Sequence, residues 1–139
     1  MRALRFALLL TFGAAVVGSG ACTAAPAGRI AEPASEIEAQ IAVALDMLRD
    51  LMQEQNRFKP SPVTPAELAT VDRQMREFAA KQTAPGGTPE ERRARLEKAR
   101  ETLLNVINQH AAEGARQRGL PAPKPTTSDT LREAVRARK

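Results

Sequence analysis

The string Thr-Pro-x-Glu occurs twice, at Thr64-Pro65-Ala66-Glu67 and at Thr88-Pro89-Glu90-Glu91. Each is a helix start. Thr at the N-cap accepts a bond from an early amide, Pro at the first helical position has no amide to leave unpaired, and Glu three residues on bonds back to the cap. A third start lies upstream, where Ser35-Glu36-Ile37-Glu38 reads as a capping box with Ser35 as N-cap. Stops separate the starts. Lys59-Pro60-Ser61-Pro62 ends the first helix, because Pro lacks the amide and pushes the residue before it out of helical space. Pro85-Gly86-Gly87 makes a turn after the second. This punctuation leaves room for three long helices on short connections.

The apolar spacing agrees. Ile37, Ile41, Leu45, Leu48, Leu51 and Met52 form one stripe, widened by Val43 and Met47. Leu68, Val71, Met75 and Phe78 form a second, and Leu96, Leu103, Leu104, Val106 and Ile107 a third. The predicted helices end near Asn56 or Phe58, near Gln82, and near Glu113 with Gly114 as the C′ glycine. Glu91 with Arg95, and Glu90 with Arg93, are spaced to pair on the third helix. A chain with no Trp or Tyr, rich in Ala, Leu, Arg and Glu, favours helix over strand. The expected fold is all-α: a small antiparallel three-helix bundle over 35–114, with a flexible N-terminal tether and a Pro-rich basic C-terminal tail.

That tail comprises a Pro-rich linker, 115–128, and a short basic amphipathic helix, 129–139, with Leu131, Ala134 and Val135 on its apolar side. Ten residues are marginal as a helix, so this segment is expected to fray or to order on a partner. Charge is unevenly placed within a net of +5. From 30 to 113, eleven Lys and Arg face fourteen Asp and Glu; from 114 to 139, seven face two. Basic tails attract polyanions, and Arg132, Arg136, Arg138 and Lys139 are the candidate partner-binding residues. Asp46, Asp50 and Glu54, spaced along one face, read as a solvated face or as an acidic docking ladder.

The N-terminal end supplies an address. Arg2 and Arg5 precede the apolar run from Phe6 to Val17, and the small residues Gly18-Ser19-Gly20-Ala21 follow, so 1–21 reads as an export signal. Cys22, the single cysteine, comes next. Ser19-Gly20-Ala21-Cys22 resembles the lipobox of bacterial lipoproteins, with Ser19 where that family has an aliphatic residue. The resemblance implies acylation of Cys22, a tether over 22–34, and anchoring at the outer membrane facing the periplasm. Ordinary cleavage after Ala21, Ala25 or Ala27, giving a soluble periplasmic protein, is the alternative.

Few residues offer chemistry. The exported part holds one His, His110, and the serines Ser35, Ser61 and Ser128, which makes no triad. Gly86-Gly87 lacks the strand and the Lys of a phosphate loop. His110 reads as a half-buried or capping histidine near a helix end, with a pH sensor or lone metal ligand as the sharper reading. No catalytic residue, cofactor or metal site is expected, and export argues against nucleic acid. The expectation is a non-catalytic interaction or structural module with an unknown envelope protein as partner and homodimerisation as a second mode. Finally, Val63-Thr64-Pro65-Ala66-Glu67-Leu68 resembles the Leu-Thr-x-x-Gln signature of the Spy/CpxP periplasmic helical proteins, with Val63 for Leu and Glu67 for Gln. That resemblance implies the alternative function, a periplasmic chaperone or a stress- or metal-sensing adaptor.

Overall fold

The computed structural model describes residues 31–139. The leader, Cys22 and most of the tether lie outside the described residues. Four helices follow in order: α1 (Ala34–Asn56), α2 (Pro65–Thr83), α3 (Pro89–Gln117) and α4 (Ser128–Ala137). The described residues contain no strand, so the all-α class stands.

Both Thr-Pro starts cap as expected. The Thr64 and Thr88 hydroxyls accept from the amides of Glu67 and Glu91 at 3.3 and 3.2 Å. The two carboxylates accept in return from the cap amides at 2.7 and 2.8 Å. Ser35 does not cap. α1 begins before it, with Pro33 as N-cap and no side-chain bond there. Glu38, which the box required, is taken instead by Arg92 of α3, and the Pro33 carbonyl accepts from the amides of Glu36 and Ile37. α3 also overruns its expected end. It continues through Gly114 to Gln117, and Gly119, at φ +67, takes the left-handed position. The surface pairs expected on α3 give way to local closure: Glu91 turns to its cap, while Arg95 donates to the carbonyls of Ala84 and Gly86 at 3.2 and 2.8 Å.

α1 is the hub. Ile37, Ile41 and Leu48 share one buried cluster with Leu96, Leu103 and Ile107 of α3. The two helices run in the same sense. Glu38 meets Arg92 near their starts, and Gln55 donates to the His110 carbonyl near their ends. α2 runs back along α1: Asn56 exchanges two bonds with the Val63 backbone (2.8 and 2.9 Å), and Asp46 meets Arg76 at 3.2 Å. Its stripe of Leu68, Val71, Met75 and Phe78 is only half-buried, and Ala79 is its one fully covered side chain.

α4 corrects the expectation of a frayed tail. Leu131 is fully buried and Val135 is 7% exposed, both within the main cluster. Arg132 reaches Glu32 and Glu36, and Arg138 reaches Asp46, which lays α4 along the first half of α1. A ten-residue helix fails alone because nucleation is costly. Burial of a Leu and a Val, at about 1.5–3 kcal/mol each, supplies what its own turns cannot.

Candidate functional site

Two carboxylates organise the polar side of the fold. Glu32 sits just before α1 with its side chain 15% exposed. Its carboxylate accepts from Arg100 of α3 at 2.6 Å, from Arg132 of α4 at 3.3 Å, and from the fully buried Gln40. Gln40 accepts from Arg100 at 2.8 Å, which closes the network. Burial opposes the Glu32 charge, but the bonds from Arg100, Gln40 and Arg132 outweigh it and hold the carboxyl below its usual range. Asp46 plays the same part at mid-bundle. Arg138, just past the end of α4 (3.0 Å), and Arg76 of α2 (3.2 Å) both bond it. The Arg138 bond is the main reason its carboxyl is lowered against partial burial.

The four proposed tail cations therefore divide. Arg132 and Arg138 hold α4 to α1, whereas Arg136 and Lys139 are exposed on or beyond its outer face. The acidic face also has partners within the chain. Asp50 pairs with Arg49 at 3.2 Å, and Glu54 with Arg118 at 3.4 Å.

His110 lies on α3 near the end of α1 and is half-buried. Burial, and then the charge of Lys59, push its pKa below the ordinary imidazole value. Among the described residues no three His, Cys, Asp or Glu side chains gather as metal ligands. No described helix is long and apolar enough to cross a membrane.

Two large apolar side chains stay uncovered. Phe58 and Leu120 are the exposed large hydrophobics among the described residues, at 58% and 52%. Both lie at the end of the bundle where α1 and α3 stop. The Arg118 guanidinium lies over the Phe58 ring, 5.3 Å from its centre, and the Leu120 amide donates to the Ala115 carbonyl one turn away. Arg57 and Lys59 flank Phe58 and are exposed. Arg57 also lines a groove of about 450 Å³ between α1 and α2, whose floor includes Leu48, Met52, Leu68 and Met75. Arg57, the residue before Phe58, is thus shared between this end and the groove, which Arg49 and Asp72 also line. Such a surface suits a segment that alternates apolar side chains with carboxylates.

Sequence reasoning missed this region because Phe58 stood as a helix terminus beside a Pro stop. It also missed Gln40 and Gln55, which are buried. Their signal was available: both fall in register with the apolar stripe of α1, where a polar residue must find a partner inside. Comparison with known proteins returns no matching family model, no similar curated protein and no similar solved structure.

Proposed function

We propose that the protein is an exported envelope module, lipid-anchored at Cys22, that works by binding rather than by catalysis. Its α1–α3 unit serves as an up-down-up bundle, with α4 docked on it. The surface of Phe58, Leu120 and the α1–α2 groove carries the reading. Phe58 and Leu120 are the exposed large hydrophobics among the described residues, Arg57 and Lys59 flank Phe58, and Arg57, Arg49 and Asp72 stand on the apolar groove. The partner is an acidic segment with apolar side chains on another envelope component.

Photo-crosslinking from position 59 in the native envelope tests the reading. One stoichiometric partner is expected, and Met52→Glu with Met75→Glu is expected to remove it while helicity is kept. An unchanged partner set overturns the assignment. Labelled palmitate should enter the protein and be lost in Cys22→Ala. Equal incorporation in the variant removes the anchor and leaves the soluble periplasmic form.

A second reading follows from the groove floor. Met52 and Met75 are flexible, polarisable side chains of the kind that adapt to varied apolar clients. A Spy-like holdase would suppress aggregation of unfolded proteins broadly, whereas the interaction module captures one partner.

A further inference from the structure

We infer that α2 is a hinged cover: it lifts off α1 as a unit while α1, α3 and α4 stay folded, and so uncovers one continuous apolar face on α1. The seating of α2 is thin. Of its 19 residues only Ala79 is buried, against eight residues of α1 and six of α3. Its stripe of Leu68, Val71, Met75 and Phe78 is only half-covered. Among the described residues, one side-chain bond runs from the body of α2 to another helix, from Arg76 to Asp46 at 3.2 Å. Its other side-chain bonds close within the helix or on its own cap, as from Arg76 to Asp72 and from the Thr70 hydroxyl to the Ala66 carbonyl. A single ion pair open to water holds a helix weakly.

Two grooves run beneath α2. One is the groove floored by Leu48, Met52, Leu68 and Met75. The second, of about 440 Å³, lies between α1, α2 and α3 and is lined by Ile41, Ala79, Ala80 and Thr83 among others. Leu45 lines both. The α1–α2 seam is therefore open on each side of Leu45, and dispersion attraction falls steeply across a gap. The turns at the two ends of α2 are held, by contrast. Asn56 exchanges two bonds with the Val63 backbone before it, and Arg95 of α3 donates to the Ala84 and Gly86 carbonyls after it. A thinly seated helix between two held turns opens at lower cost than the rest of the fold, because it uncovers little apolar surface. Its lift leaves the α4 seat intact, since Asp46 keeps its bond from Arg138. Lifting joins the grooves. Ile41, Leu45, Leu48 and Met52 then make one face about 17 Å long, eleven helical steps at 1.5 Å each. Anything that binds that face meets it only in the lifted state, so its apparent affinity scales with the lifted fraction.

Hydrogen exchange on the full wild-type chain, read residue by residue in urea below the unfolding midpoint, tests this. Off α1, α2 loses the tertiary packing on which helices depend in water, so its amides exchange. The amides from Asp72 to Phe78, clear of both helix ends, should exchange as one group at least about tenfold faster than the slowest amides of α1 and α3. Their rates should also depend less on urea, because the lift exposes less surface than global unfolding. Leu131→Ala weakens a contact that survives the lift. It should speed the slowest amides of α1 and α3 and leave the α2 group unchanged. If the α2 group matches α1 and α3 in rate and urea dependence in the wild type, the inference is overturned. It is overturned equally if Leu131→Ala speeds all three helices by the same factor, since a single global opening then accounts for them all.

Discussion

At the scale of single residues, Gly114 separates two opposing effects. It lies inside α3, where Ala is favoured over Gly by about 1 kcal/mol. A Cβ there would stand 2.5 Å from Gln55 Nε2 and 3.0 Å from its Cδ. Moving that side chain breaks its bond to the His110 carbonyl and leaves a buried amide unpaired, a loss of about 1–3 kcal/mol. Gly114→Ala is therefore expected to lower stability by about 1 kcal/mol net. In a Gln55→Ala background it should raise stability by about the same amount. Urea unfolding of the four-member cycle measures both. His110 gives a pH signature. Its folded pKa lies below the ordinary 6.5, so the unfolded chain binds the proton first. The stability it contributes is present above that value and falls as pH drops through it. The wild type should lose urea resistance as pH falls below about 6.5, and His110→Gln should lose less. The buried glutamines were legible as stripe positions, but their partners were not: the His110 carbonyl and the Glu32 carboxylate lie 55 and 8 residues from them in the chain.

At the scale of helices, the caps rank themselves. Thr88→Ala removes a hydroxyl that accepts the Glu91 amide, and about 1 kcal/mol of stability should go with it. Ser35→Ala removes no cap bond, so its effect should stay within about 0.5 kcal/mol. Equal effects at both positions in chemical denaturation would contradict the assigned start of α1. The contrast shows why one capping box was read wrongly. Thr-Pro-x-Glu closes on itself within four residues, and no distant group competes for it. Ser-x-x-Glu at 35–38 needs Glu38, and Arg92 of α3 reaches that carboxylate from 54 residues away.

For the whole molecule, Glu32 joins three parts of the chain to the N-terminal segment. Replacing it with Ala strips Arg100, Gln40 and Arg132 of a common acceptor. Glu32→Ala is expected to cost about 2 kcal/mol, while Glu36→Ala, whose one ion pair is 3.9 Å long, should cost well under 1 kcal/mol. Thermal unfolding at neutral pH compares the two. Because the Glu32 and Asp46 carboxyls are held below their usual values, the stability they lend is present at neutral pH and is lost as pH falls through the carboxylate range.

The amino-acid sequence by itself determined where helices begin and break, and which stripe of each is apolar, because caps, prolines and 3.6-residue periodicity act within a few residues. The helical class and the covered faces of α1 and α3 followed from that. Only the tertiary structure decided that α4 docks, that Arg132 and Arg138 bind inward, and that Phe58 and Leu120 remain outside at one end. Those outcomes depend on groups tens of residues apart arriving within about 3 Å of one another, the distance at which an arginine and a carboxylate bond, and no local pattern encodes that meeting.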